Sequence, residues 1–120
     1  MSIVYVSDNI LLYEEFCARL KGLPCALVDS KLYQVSQALT VINAYRPKVL
    51  LIDATLSGFK ALELVKRIKT ASRKTILIAL TDYPHVITFQ IWKEAGADYF
   101  FDKLFQIDEA TTTINNLLKV

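Results

Sequence analysis

The sequence has few of the residues that build cross-links, metal clusters or histidine chemistry. Its 120 residues include two cysteines and one histidine. Cys17 lies in a helical pattern and Cys25 beside a strand pattern, without the spacing of a metal site or the cysteine density of a secreted scaffold. We therefore expect both to be reduced, buried packing residues. A phosphohistidine role for His85 is disfavoured, because a single histidine in a loop before a helix is usually solvated.

The chain also lacks a charge imbalance and a long apolar run. The net charge is +2 and the basic residues are scattered, so no basic stripe predicts nucleic-acid binding. No apolar stretch approaches the length that crosses a membrane, and residues 1–8 contain no basic region before a long apolar segment. We expect a cytoplasmic protein without a nucleic-acid or membrane partner.

Apolar residues make up 53% of the chain, enough for one sizeable core in a single domain over residues 1–120. Apolar runs of strand length alternate with segments of helical period. The predicted strands cover residues 3–6, 26–28, 49–52, 75–80 and 99–101. Runs that are apolar throughout are typical of a parallel sheet covered by helices on both faces. The sequence therefore predicts a doubly wound α/β fold, flavodoxin-like, with strand order 2-1-3-4-5.

Each predicted helix has an apolar face that should pack on this sheet. The first helix, capped by Asn9, presents Leu12, Phe16 and Leu20; the second, Val35, Leu39, Ile42 and Tyr45; the third, opening near Gly58, Leu62, Val65 and Ile68; the fourth, Ile87, Ile91, Trp92 and Ala95; the last, Ile107, Ala110, Ile114, Leu117 and Leu118. On the fourth helix Val86 falls off this face and Phe89 lies at its border, which leaves apolar surface for a partner or only scattered exposed residues.

Four polar side chains follow the ends of predicted strands, namely Asp8, Asp53, Thr81 and Lys103. Because parallel strands end at one edge of a sheet, we expect these four side chains to share a crevice. Two close carboxylates repel each other unless a cation lies between them, and Mg²⁺ accepts such oxygen ligands. A hydroxyl and an ammonium would complete a phosphate site. Taken singly, Asp53 could be a loop acid and Asp8 could help Asn9 to cap the first helix.

The spacing of these four residues resembles the receiver domain of response regulators over the whole chain. The stretch from Arg46 to Asp53 and the stretch from Ala95 to Tyr99 strengthen the resemblance. It implies signalling in a two-component system, in which a histidine kinase or phosphotransfer protein donates a phosphoryl group to Asp53. Any catalysis would be limited to the chain's own phosphorylation and dephosphorylation.

The same resemblance implies a role for each site residue. Asp8, Asp53 and the Thr55 main-chain carbonyl would hold Mg²⁺, while Thr81 and Lys103 would each bind a phosphoryl oxygen. Output would pass to an unknown downstream protein through helix 4, strand 5 and helix 5, not through an attached domain. Phe100 lies where receivers often have a switch aromatic, although strand alternation places it opposite Tyr99 and Phe101, as ordinary packing would.

Some positions depart from the usual receiver pattern. Ser7 replaces the first of two adjacent acids, Asp82 follows the threonine where a small residue is common, and Leu104 replaces a proline. The Asp82 charge could hinder phosphate access or point to solvent. A degenerate receiver that binds partners without phosphorylation therefore stays open as an alternative. A flavodoxin-like cofactor carrier is disfavoured, because no Gly, Ser and Thr run follows strand 1 to cradle a phosphate.

Overall fold

A computed structural model of the chain describes residues 2–20, 22–54, 60–72, 74–82 and 86–119. Within them the strands are β1 (Ile3–Ser7), β2 (Cys25–Asp29), β3 (Val49–Asp53), β4 (Ile76–Thr81) and β5 (Tyr99–Asp102). The helices are α1 (Ile10–Arg19), α2 (Val35–Tyr45), α3 (Ala61–Ala71), α4 (Val86–Ala95) and α5 (Ile107–Leu117). All strand pairings are parallel and the order is β2-β1-β3-β4-β5, which confirms the predicted fold class.

The sheet separates two apolar layers. One layer packs α2, α3 and α4 on alternate strand residues such as Val4, Leu50 and Leu77. The other packs α1 and α5 on the residues between them, such as Tyr5 and Leu51. Since β1 and β3 are buried over their whole length, their apolar runs are explained by helices on both faces. None of the helices in the described part of the chain is long and apolar enough to span a membrane.

Helix α1 and the inner half of α5 follow the sequence prediction. The Asn9 side chain accepts a hydrogen bond from the Leu12 N–H at 3.1 Å, as an N-cap does. Both Leu12 and Phe16 are buried under the sheet. In α5, Ile107 and Ile114 are buried, while the outer residues Leu117 and Leu118 are only half-buried.

The predicted faces of three helices need correction. In α2, Ala38 is buried, whereas Leu39 is half-buried and Tyr45 is 37% exposed. In α3, Leu64 takes the central place and Leu62 is half-buried; the predicted opening near Gly58 lies outside the described residues. In α4, Trp92 and Ala95 are buried, but Ile91 is 46% exposed. The sheet covers a narrower arc of each helix than apolar residues alone indicate, so larger side chains at its border stay in contact with solvent.

The alternation of β5 is as predicted. Phe100 packs on the α2–α4 layer and meets Phe89 edge-to-face, with ring centroids 5.6 Å apart. Tyr99 and Phe101 point to the other side and stack on each other. Phe89 nevertheless remains 41% exposed, so some apolar surface is left on this side of the domain.

Candidate functional site

The carboxyl ends of β1, β3 and β4 are neighbours at one edge of the sheet. Asp53 ends β3 and lies opposite Leu80 of β4, one residue before Thr81. The Ala54 N–H donates a hydrogen bond to the Leu80 carbonyl at 2.7 Å, which holds the start of the next loop against β4. The register therefore brings the carboxylate of Asp53 and the strand end at Thr81 side by side.

Asp53 is a buried carboxylate in contact with a cation. Asp53 is 1% exposed, and the Lys103 ammonium donates a hydrogen bond to the Oδ2 atom of Asp53 at 2.7 Å. A buried charge is expensive unless it is paired, so this contact offsets much of the cost of removing Asp53 from water. The sequence placed the two residues in one crevice, and the structure brings them into direct contact.

The backbone of the β5–α5 loop sets the position of Lys103. Its N–H donates to the Thr81 carbonyl at 2.9 Å. Directly before it, the buried Asp102 accepts hydrogen bonds at one carboxylate oxygen, Oδ1, from the N–H groups of Leu104 and Phe105, both at 2.8 Å. Leu104 stands where receivers usually have a proline, which has no N–H to donate. A side-chain hydrogen bond thus stabilises this loop.

Sequence reasoning assigned no role to Asp102. The signal that was available is an aspartate two and three residues before two ordinary N–H donors, a spacing typical of side-chain to backbone turns. Because such turns occur at many loops, the spacing by itself does not distinguish a loop that holds a site residue from any other loop.

Lys103 also contacts a second carboxylate. Its Nζ atom lies 3.3 Å from Oδ2 of Asp82. Burial by itself would lower the pKa of Lys103, but the hydrogen bond and charge of Asp53, followed by those of Asp82, outweigh it, so the net pKa is raised above its ordinary value. The ammonium is therefore charged throughout the physiological pH range. Of the two expectations for Asp82, a contact with solvent alone is wrong, because its carboxylate reaches the site's lysine.

The β1–α1 loop is closed by Ser7 and Asn9. Ser7 is fully buried, and its hydroxyl accepts a hydrogen bond from the Asn9 N–H at 3.0 Å. The Asn9 side chain caps α1, so the N–H groups of Asn9 and Leu12 both have side-chain acceptors other than Asp8. Asp8 directly follows β1 and is exposed. Its carboxylate is therefore not needed for capping and is available to a ligand.

A buried phenol lies beneath the acidic residues. Tyr5 points to the same face of β1 as Ser7, and its hydroxyl has no hydrogen-bond partner of normal geometry among the described residues. Burial raises the pKa of Tyr5, and the charges of Asp53, Asp8 and Asp82 raise it further, although the nearby Ser7 hydroxyl opposes the rise. The charges of three carboxylates thus all raise the pKa of the Tyr5 hydroxyl, and the phenol stays neutral.

The residues present fit a divalent cation. The predicted ligands are the carboxylates of Asp8 and Asp53 and the carbonyl of Thr55, and Thr55 lies outside the described residues. No three His, Cys, Asp or Glu side chains of the described segments form a group that would hold a metal by themselves. Mg²⁺ needs only one or two carboxylates, since it keeps several waters. The oxygen donors and the negative charge gathered around Tyr5 agree with that requirement.

Some sequence-predicted features lie partly or wholly outside the described residues. His85 is one of them, and the same holds for the side chains of Val86 and Ile87 on α4.

The two cysteines lie within the described residues. Cys17 and Cys25 are free thiols but only half-buried, so the expectation that they are buried was too strong. Burial and the neighbouring Cys17 raise the pKa of the Cys25 thiol to about 12, so this thiol is protonated.

Known structures share this fold over the whole domain. The receiver domain of a DNA-binding response regulator from Colwellia psychrerythraea 34H superposes with a TM-score of 0.84, at 21% identity, covering 100% of this chain and 99% of that one. The chemotaxis protein CheY4 of Vibrio cholerae gives a TM-score of 0.80 at 21% identity, covering 97% of both chains. The receiver domain of NtrX from Brucella abortus also gives 0.80, at 20% identity over 98% of both.

Sequence comparison extends the similarity from fold to family. Sporulation initiation phosphotransferase F of Bacillus subtilis (strain 168) is 33% identical over 82 residues, which cover 68% of this chain and 66% of that protein, just under two thirds of its length. The sequence profile of the response regulator receiver domain matches residues 3–115, which include every described residue of the site. With the parallel sheet, the acidic edge and the lysine that contacts Asp53, this match establishes that the chain belongs to the receiver domain family of two-component response regulators.

Proposed function

We propose that Asp53 accepts a phosphoryl group from a phosphohistidine of a partner protein. The observation that carries this proposal is the contact between a 1% exposed Asp53 carboxylate and the Lys103 ammonium at the carboxyl edge of the sheet. Any buried acid is stabilised by a paired cation, but here the pair lies at the polar edge of the sheet, where β4 ends in Thr81. That position suits a phosphoacceptor, because phosphoryl transfer depends on position and charge neutralisation.

The transfer is a simple displacement at phosphorus. One carboxylate oxygen of Asp53 forms a P–O bond while the P–N bond of the donor's phosphohistidine breaks, and the electron pair stays on the imidazole nitrogen. Lys103 donates hydrogen bonds to a phosphoryl oxygen, and the Thr81 hydroxyl donates to another. The main-chain bond between the Lys103 N–H and the Thr81 carbonyl keeps these two donors in register.

We assign the metal ligands to Asp8, Asp53 and the main-chain carbonyl of Thr55. Receiver domains use Mg²⁺ in phosphoryl transfer, and when bound it supplies positive charge beside the transferred group. The exposed position of Asp8, directly after the strand that pairs with β3, supports this assignment. Lys103 already compensates part of the charge of Asp53. The proposed metal site therefore combines the exposed carboxylate of Asp8 with the partly neutralised carboxylate of Asp53.

The proposed partners are a histidine kinase or a histidine phosphotransfer protein upstream, and an unidentified protein downstream. The name of the Bacillus subtilis relative, a phosphotransferase, supports the first of these.

We propose a cytoplasmic location, since Cys17 and Cys25 are both free thiols, as in a reducing compartment. The alternative of a phosphorylation-independent interaction module is not favoured, because the acceptor and its lysine are both present and in contact.

The decisive experiment is intact-mass measurement after incubation with acetyl phosphate and Mg²⁺. We expect the mass of one phosphoryl group to be added to the wild type and removed by hydroxylamine, as for an acyl phosphate. The Asp53→Asn variant should gain nothing, because an amide oxygen is too weak a nucleophile. Asp108→Asn removes an acid that is 83% exposed on α5 and should be phosphorylated like the wild type. A modified Asp53→Asn protein would rule out the assignment.

A second prediction concerns the serine that replaces an acid. Ser7→Asp puts a third carboxylate next to Asp8 and Asp53 and should tighten Mg²⁺ by on the order of tenfold, because each nearby charge strengthens attraction of the cation. Without metal the variant should be less stable than the wild type, since the added buried carboxylate repels the others. Titration of Mg²⁺ against the fluorescence of Trp92, the single tryptophan, measures the first effect. Equal affinities would mean that position 7 does not act on the metal.

A further inference from the structure

Lys103 lies between two carboxylates of different kinds. Its Nζ atom is 2.7 Å from Oδ2 of the buried Asp53 and 3.3 Å from Oδ2 of Asp82. The Lys103 side chain is 11% exposed and that of Asp82 is 36% exposed. The ammonium is thus partly removed from water, while Asp82 lies at the rim where the site opens to solvent. One positive charge is divided between an acid inside the site and an acid at its entrance.

The place of Asp82 in the chain gives it a second connection to the site. It directly follows Thr81, whose carbonyl accepts the Lys103 N–H. Of the two proposed donors to the phosphoryl group, Lys103 thus contacts the Asp82 carboxylate directly, and Thr81 is its neighbour in the chain. Any group that is bound by Thr81 and Lys103 must come close to this negative charge.

A phosphoryl group makes this arrangement unfavourable. It replaces the single negative charge of the Asp53 carboxylate by the roughly two negative charges of an acyl phosphate, and it needs the donors of Lys103. Asp82 acts against it in two ways, because it competes for the ammonium and because like charges repel in a site of reduced dielectric constant. Neither effect is large in the unphosphorylated protein, where a pair that is over one-third exposed on one side contributes little to stability.

We propose that Asp82 is a positioning residue that holds Lys103 back and lowers the affinity of the site for a phosphoryl group. This inference rests on the proposed function of Asp53 and goes beyond it, since it assigns control over the phosphorylated population to a residue that does not itself react. Asp82 thereby raises the concentration of phosphoryl donor that is needed to phosphorylate a given fraction of the protein. A neutral residue at position 82 should leave the ammonium available to the phosphoryl oxygens.

The test compares three variants with the wild type. Asp82→Asn keeps the shape and removes the charge, Asp82→Glu keeps the charge, and Glu94→Gln removes an exposed acid in the last turn of α4, at the other edge of the sheet. The first measurement is the dissociation constant of beryllofluoride, a phosphoryl mimic, in saturating Mg²⁺. The second is the rate of phosphorylation by acetyl phosphate at low and high ionic strength.

We expect Asp82→Asn to bind beryllofluoride on the order of tenfold more tightly and to be phosphorylated faster by a similar factor. Asp82→Glu and Glu94→Gln should stay within about twofold of the wild type, because the local charge is kept in one and the removed charge is distant in the other. The advantage of Asp82→Asn should shrink at high salt, as expected for a half-exposed charge. Its free energy of unfolding should be almost unchanged.

Three other results have different meanings. Equal beryllofluoride affinities of the wild type and Asp82→Asn, with both proteins phosphorylated by acetyl phosphate, would overturn the inference and leave the proposed function intact. If neither protein accepts a phosphoryl group or beryllofluoride, the proposed function fails and the inference fails with it. Phosphorylation of Asp82→Asn alone would support the inference in its strongest form, with the wild-type site closed by Asp82.

Discussion

Lys103→Met should lower the rate of Asp53 phosphorylation by acetyl phosphate by about 10²–10³-fold, the usual effect of removing one donor to developing negative charge. Methionine keeps the length and apolar stem of lysine but has no ammonium, so the Asp53 Oδ2 atom loses its contact at 2.7 Å. The phosphoryl oxygens lose the same donor. If Lys103 neutralises charge that develops on the phosphoryl oxygens during transfer, as proposed, the variant should lose rate at all donor concentrations, not only apparent affinity.

The measurement is a time course of intact mass at fixed Mg²⁺. Lys93→Met, at an exposed position of α4, is the matched control and should react at the wild-type rate. Far-ultraviolet circular dichroism of both variants separates loss of chemistry from loss of fold. A rate for Lys103→Met within about threefold of the wild type would contradict the role of Lys103, since it would be far below the effect of one lost donor.

Gly96→Ala should reduce the free energy of unfolding by roughly 2–4 kcal/mol, through a strained backbone and a steric clash acting together. Gly96 follows α4 with φ at 122°, and its N–H and that of Ala97 both reach the Trp92 carbonyl, a helix end that favours glycine. A Cβ atom here would lie 2.5 Å from Cγ of Lys69. That side chain cannot easily move, because its ammonium pairs with Asp98 at 2.8 Å.

Gly22→Ala provides the matched control for this prediction. Gly22 has φ at 78°, but a Cβ atom added there would meet nothing within 4 Å. Its substitution should therefore cost only about 1 kcal/mol of backbone strain. Urea denaturation of the two variants and the wild type gives the comparison. If Gly96→Ala is no more destabilising than Gly22→Ala, the contact with Lys69 is not a real constraint on position 96.

Local sequence patterns were a good guide wherever a single physical cause decides the structure. The apolar runs before Asp53 and Thr81 are long enough to indicate strands covered on both faces, and the structure confirms them. The Asn9 cap is equally local, since the side chain bonds an N–H three residues ahead. The helix faces were less predictable. Ile91 and Ala95 belong to the same apolar pattern, yet the position of the sheet decides that only Ala95 is buried.

The candidate site shows the same division between local and long-range information. The meeting of Asp53, Thr81 and Lys103 follows from parallel strands that end in polar residues, so the sequence was enough to expect it. It was not enough for Asp82, whose partner could not be chosen between solvent and the site. That choice depends on the course of the loop after β5, which the buried Asp102 holds by two backbone hydrogen bonds.

The sequence by itself determined the order of elements, the edge of the sheet that carries the chemistry, and the acid that ends its central strand. These depend on periodicity and on the alternation of strand and helix, which are properties of residues close together in the chain. Only the tertiary structure decided that one ammonium, on Lys103, is divided between Asp53 and Asp82. These contacts join residues 21 and 50 positions apart in the chain. A shift of a few tenths of an ångström would change which of them forms, and the packing of the whole domain sets these distances.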